Sequence, residues 1–138
     1  MSNLFEIAEH LERVMRRIDA GLHERVPRID TERVGPLGSI VLMRLAHIEP
    51  APIQALVTQM GRDSSQMTRA IRSLETKGLV LRQTDPDDRR VRLLSLTAKG
   101  RAFVEQTRDI MSELVEEILE PLCARDQERL AALLEKLA

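Results

Sequence analysis

The chain has 138 residues, a formal net charge of −1, a single cysteine, and neither tryptophan nor tyrosine. That length suits one domain, or one domain with helical extensions, and buries enough surface to fold without a disulfide or a metal. Cys123 alone excludes a disulfide framework or a cysteine-rich zinc site, and no apolar run or leader pattern marks a membrane or secreted protein, so a soluble, cytoplasmic chain is expected.

From the amino terminus, Leu4, Ile7, Ala8, Leu11, Val14, Met15, Ile18 and Leu22 recur at the spacing of one apolar helix face. Gly21 and then Pro27 are expected to end that helix. A second, shorter helix is expected near residues 37–47, opened by Gly35-Pro36 and stopped before Pro50, with Ile40, Val41 and Leu45 inward and Leu42 a further candidate. Two short stripes follow: Ile53, Leu56, Val57 and Met60, then, after Gly61-Arg62-Asp63, Met67, Ala70, Ile71 and Leu74. Matched stripes joined by a glycine-containing turn describe a helix-turn-helix. Pro52 stands where a first helical residue tolerates proline, and either Asp63 or Ser64 is placed to cap the second helix.

Lys77-Gly78 closes the second of these helices, with glycine supplying a left-handed cap. Leu79-Val80-Leu81 and Val91–Leu96 read as two strands around the turn residues Thr84-Asp85-Pro86-Asp87-Asp88. A helix-turn-helix followed at once by a charged hairpin is a winged helix. Beyond it lies a long helical stripe, Phe103, Ile110, Met111, Leu114, Val115, Ile118 and Leu122, interrupted by Glu120-Pro121. A short one follows, Leu130, Leu133, Leu134 and Leu137. The fold expected is mainly α with a small β-hairpin wing. Residues 1–30 form an amino-terminal helix, 31–100 the winged helix-turn-helix (recognition helix about 64–77, wing about 79–96), and 101–138 the carboxy-terminal helices. With 20 Leu, 9 Ile, 9 Val and 6 Met, the core is aliphatic and suits packed helices.

The small net charge is a cancellation. Residues 1–61 sum to −1, residues 62–101 to +5 and residues 102–138 to −5. A basic centre between neutral and acidic flanks suits an anionic partner, although a salt-bridged globule would show the same numbers.

The run Leu74-Glu75-Thr76-Lys77-Gly78-Leu79-Val80, the tripeptide Asp88-Arg89-Arg90 and the run Leu96-Thr97-Ala98-Lys99-Gly100 stand in one order and spacing. In these, residues 53–101 resemble the MarR family of bacterial winged-helix transcription regulators. That family's pattern has Leu-Glu-x-x-Gly-Leu-Val closing a helix, Asp-x-Arg on the wing and Leu-Thr-x-x-Gly opening a long helix. The flanking helices agree in position and length, so the likeness covers nearly the whole chain. Two departures concern helix caps: Ala51-Pro52 and Cys123 stand where the family often has Ser or Thr. The resemblance implies a homodimer whose terminal helices interleave with those of a second copy. It also implies double-stranded DNA as partner, in the form of a pseudo-palindromic operator, and repression relieved by a small anionic or phenolic effector. Leucine-rich stripes at both chain ends, more apolar than one small winged helix can cover, agree with a dimer.

With Met67, Ala70, Ile71 and Leu74 inward, Ser65, Gln66, Thr68, Arg69, Arg72 and Ser73 face outward, those nearest the helix start toward the major groove if DNA is bound. Gln66 suits adenine, Arg69 and Arg72 suit guanine or phosphate, and the hydroxyls of Ser64, Ser65 and Thr68 suit phosphate oxygens. On the wing, the resemblance implies that Asp88 orients Arg90 into the minor groove while Arg89 and Arg92 touch the backbone. A solvated polar face is the plain alternative for all of these.

An effector site has a weaker basis: His10, Arg13 and Arg17 beside the first apolar stripe, with Met43, Arg44 and His47 in the second helix. The same cations have Glu6, Glu9 and Glu12 as expected helical partners. Cys123 lies in an acidic region and is expected to pack or cap rather than react. His10, His23 and His47 lack metal-ligand spacing, so neither metal nor cofactor is expected. No phosphate loop, nucleophile motif or catalytic cluster points to an enzyme. A winged helix used only for protein contacts, without sequence-specific DNA binding, remains the alternative; it calls for an apolar or acidic outward face on residues 64–73.

Overall fold

A computed structural model describes residues 3–138, which fall into two compact units. The first comprises the chain up to Glu24 together with Asp109–Ala138, and the second Arg25–Arg108. Helix α1 spans Leu4–Arg25, with a short 3₁₀ turn at Val26–Arg28, and α2 spans Gly35–Ile48. A two-residue strand β1, Ala51–Pro52, leads into α3 (Ile53–Met60) and α4 (Ser64–Thr76). Strands β2 (Val80–Thr84) and β3 (Arg92–Leu96) form the hairpin, and α5 (Ala98–Ile118) and α6 (Ala124–Leu137) complete the chain.

The structure is mainly helical with a small antiparallel sheet in the order β1-β3-β2, the winged-helix arrangement expected. The third strand is an addition. Ala51 pairs with Leu94 and Pro52 with Leu93, so Pro52 is extended (φ −70°, ψ 154°) and precedes α3 rather than opening it. Proline suits that place because an edge strand does not need every amide.

The core of the second unit gathers Val41, Leu42 and Leu45 of α2, Leu56 of α3, Met67, Ile71 and Leu74 of α4, and Leu79, Val80, Leu94 and Leu96 of the hairpin. Leu42 is fully buried whereas Ile40 is 45% exposed, reversing the expected roles of these neighbours. Helix α2 is apolar on most sides, so periodicity alone does not select its inward face. In the first unit Gly21 lies inside α1, not at its end. A Cβ there would meet the Leu114 methyls at 2.5 Å, so the glycine serves close packing.

Local bonds fix the helix ends. Asp30 accepts from the amides of Val34 and Gly35 at 2.8 and 2.9 Å at the start of α2. Asp63, not Ser64, caps α4, accepting from the Ser65 amide at 2.8 Å. After α4, Gly78 adopts φ +75° and the Leu79 amide reaches back to the Leu74 carbonyl at 2.9 Å, a C-terminal cap that favours glycine. Cys123 occupies the N-cap position of α6, but its exposed side chain makes no cap bond. The packing and capping roles expected of it are therefore both absent.

One tie spans distant sequence. The Glu49 side chain, 13% exposed, accepts from the Leu96 amide at 3.1 Å and from both terminal nitrogens of Arg101 at 3.1 and 2.8 Å. It joins the end of α2 to β3 and α5. Glu49→Ala leaves the amide and the guanidinium short of their acceptor and should cost about 2 kcal/mol, read as a lower urea midpoint with unchanged slope.

Candidate nucleic-acid interface

Burying Met67, Ile71 and Leu74 leaves Ser64, Ser65, Gln66, Arg69 and Arg72 exposed on α4. This outward face is hydroxylic, amide and cationic. Thr68 is half-buried and its hydroxyl donates to the Ser64 carbonyl at 2.9 Å, so its proton is spent inside the helix while its lone pairs stay open. The Asp63 carboxylate sits at the amino end of α4 and offsets the positive helix end there. Attraction for an anion on this face must therefore come from Arg69, Arg72 and the serine hydroxyls.

The hairpin carries the second group. Its tip is shaped by its own acids: Asp85 Oδ1 accepts from the Asp87 amide at 2.9 Å, and Asp88 Oδ1 from the Arg90 amide at 3.0 Å. The Asp85 amide donates to the Val91 carbonyl and the Val91 amide to the Asp88 carbonyl, closing the loop. Asp88 Oδ1 also accepts from Arg90 Nε at 3.3 Å, while the Arg90 side chain is 92% exposed. An exposed pair of this kind adds under about 1 kcal/mol to stability. Its consequence is directional: the guanidinium is held out from the tip with its terminal nitrogens presented to solvent. Arg89 is exposed, and Arg92 donates to the Thr84 hydroxyl directly across the hairpin.

A family model described as MarR matches residues 40–91, which covers the helix-turn-helix and most of the hairpin. The apo structure of MarR from Escherichia coli is 25% identical, covers 99% of this chain and 98% of that one, and superposes with a TM-score of 0.77. A single-site mutant of the same protein, solved in complex with operator DNA, is 26% identical over 99% of both chains, with a TM-score of 0.66. YdgJ, an HTH-type transcriptional regulator of Bacillus subtilis (strain 168), is 29% identical over 97 residues. The winged-helix segment of this chain, residues 40–91, is of the MarR family. The match to YdgJ takes in 70% of this chain and 59% of that protein, less than two-thirds of its length.

The family motifs acquire physical reasons here. In Leu-Thr-x-x-Gly, the Thr97 hydroxyl donates to the Gly78 carbonyl at 2.6 Å and accepts from the Gly100 amide at 3.1 Å, capping α5 against the end of α4. Lys77 donates to the Arg33 carbonyl at 2.7 Å, and Lys99 to the Lys77 carbonyl at 3.1 Å while pairing with Glu32. These two lysines, at variable positions within the motifs, thus brace the winged domain. Neither contact is legible in the sequence, because the acceptors are backbone carbonyls 44 and 22 positions away.

Of the residues weighed for an effector, His10, Arg13 and Arg17 lie exposed on α1 in the first unit. Met43 is half-buried, and Arg44 and His47 are exposed, on α2 in the second. On α1 Glu12 binds Arg16 at 2.6 Å, not one of the cations expected to take it. Among the described residues no group of His, Cys, Asp or Glu is placed to hold a metal ion, and no helix is long and apolar enough to cross a membrane.

Proposed function

We propose that this chain is a cytoplasmic, homodimeric, sequence-specific DNA-binding regulator that represses transcription from a pseudo-palindromic operator. The observation that carries the reading is the pairing of two exposed polar surfaces on one domain. They are the hydroxylic and cationic face of α4 and the Asp88-oriented Arg90 on the wing. In this reading Gln66, Arg69 and Arg72 meet base edges or phosphates in the major groove, with Ser64, Ser65 and the acceptor side of Thr68 beside them. Arg90 enters the adjacent minor groove, and Arg89 and Arg92 lie along the backbone. The solved complex of the E. coli protein with operator DNA supports the choice of partner. A protein-docking face would need apolar or acidic groups on α4, and its outward residues are neither.

The dimer is supported by the first unit. Leu4, Phe5, Ile7, Leu11, Val14 and Met15 of α1 and Leu133, Leu134 and Leu137 of α6 are all more than 40% exposed. An apolar surface of that extent on terminal helices suits the same helices of a second copy. Release by a small anionic or phenolic effector belongs to the same reading, with His10, Arg13 and Arg17 of α1 as candidates in the first unit and Met43, Arg44 and His47 of α2 as candidates in the second. Titrating candidate carboxylates and phenols into a preformed DNA complex tests it.

Arg90→Ala is the direct test of the groove reading. It should weaken binding to a duplex selected from a random library by about tenfold, with the dimer and the thermal midpoint unchanged. It should also lower the slope of affinity against salt by about one ion. Gel-shift titrations at several salt concentrations measure both, and unchanged affinity would remove Arg90 from the interface.

A further inference from the structure

The two surfaces just described sit on separate elements, α4 and the hairpin, and something must hold them at a fixed angle. Among the described residues, burial holds the hairpin at its base. Along β2 the side chains pass from buried Val80 through half-buried Leu81 to exposed Arg82, Gln83 and Thr84. Where packing ends, one polar contact begins: Arg82 Nε donates to Glu75 Oε1 at 2.8 Å, with the two side chains 33% and 28% exposed. Glu75 lies on the last turn of α4, one residue beyond buried Leu74, and Arg82 lies on β2 opposite Leu94. The next polar tie outward, from Arg92 to Thr84, joins the two strands to each other and not to the helix.

We infer that Glu75 and Arg82 are positioning residues that set the wing against the recognition helix, so that Arg90 reaches its groove in register with Gln66, Arg69 and Arg72. The inference rests on the DNA-reading function proposed above. This tether matters because the hairpin is a short two-stranded ribbon with little rigidity of its own beyond its packed base. Its loss leaves the fold intact and widens the range of wing angles. Each bound complex must then restrict that range again, at a cost in affinity. The effect falls on the wing's contribution alone, since the amino end of α4 is held separately by Met67 and Asp63.

The test uses the full-length dimer and a duplex selected from a random library by the unaltered protein. Glu75→Gln and Arg82→Gln should each reduce affinity by about fivefold, to the same degree, with thermal midpoints unchanged. Hydroxyl-radical footprints should lose protection at the outer minor-groove positions while guanine-N7 protection at the centre of each half-site persists. Introducing Arg90→Ala into the Glu75→Gln background should cost less than it does in the unaltered protein, because the wing contact is already weakened. Footprints and affinities identical to the unaltered protein overturn the inference alone. A large loss for Arg82→Gln with none for Glu75→Gln also overturns it, because Arg82 would then touch DNA directly. Failure of the unaltered protein to select any duplex overturns the inference and the DNA reading together.

Discussion

Gly100→Ala should lower the unfolding free energy by about 3 kcal/mol or more, the upper range for overpacking a filled site. A Cβ at this position would lie 2.1 Å from the Leu79 carbonyl oxygen, where ordinary contact starts near 3.4 Å. The obstacle is backbone, so no rotamer change relieves it. That carbonyl is also committed, accepting from the Thr97 amide at 3.1 Å, while the Leu79 amide is held by Leu74. Moving it breaks the link between the start of α5 and the α4–β2 turn. For a chain of this size the loss corresponds to a fall in melting temperature of about 10 °C. Gly21→Ala is the contrasting variant. Its new methyl meets only the far end of the Leu114 side chain, and it should cost about 1 kcal/mol, since that side chain can turn aside. A Gly100→Ala protein melting within about 2 °C of the unaltered one, by differential scanning calorimetry, would contradict this packing account.

The contrast between these glycines also marks what sequence makes legible. Gly78 was readable because its task is local: a helix ends and the chain must take a positive φ before a strand. Gly21 looked equally like a terminator, but the Leu114 side chain that explains it lies 93 positions further on. The same division runs through the fold. The stripe Met67, Ile71 and Leu74 identified the inward face of α4 unaided, since that helix is polar elsewhere. Ile40 and Leu42 could not be separated in an α2 that is apolar on most sides, and only the packing around it chose between them. Strand β1 was invisible because two residues, one a proline, become a strand only by pairing with Leu93 and Leu94.

The candidate interface divides in the same way. Asp88 and Arg90 are two residues apart, and the resemblance to the family motif implies their contact from sequence. Arg82 and Glu75 are seven apart, on different elements, and nothing local pairs them. Glu49 and Arg101 are separated by 52 positions, which no periodicity spans. Charge was legible only when resolved along the chain: the +5 of residues 62–101 coincides with α4 and the hairpin, and the −5 of residues 102–138 with most of α5 and all of α6.

If the proposed dimer forms through α1 and α6, Leu11→Glu combined with Leu134→Glu should give a monomer and weaken operator binding by about a hundredfold. Each of these side chains is 48% exposed, so the isolated chain loses little when either becomes charged. In a dimer that covers them, two carboxylates per chain would be buried opposite apolar partners, a cost no such interface sustains without matching cations. Light scattering behind a sizing column should then report the 15.7 kDa of a single chain instead of twice that mass, while circular dichroism keeps its helical signal. The loss of DNA affinity follows from connectivity. In a dimer the second winged helix binds its half-site at the effective concentration set by the first, an advantage of about 10²–10⁴ that a monomer forgoes. The same variant should bind a single half-site as tightly as the unaltered protein does, because α4 and the wing are untouched. If the charged variant stays dimeric, the interface lies elsewhere than on these faces of α1 and α6. If it becomes monomeric yet holds the full operator with undiminished affinity, the two half-sites are not read together.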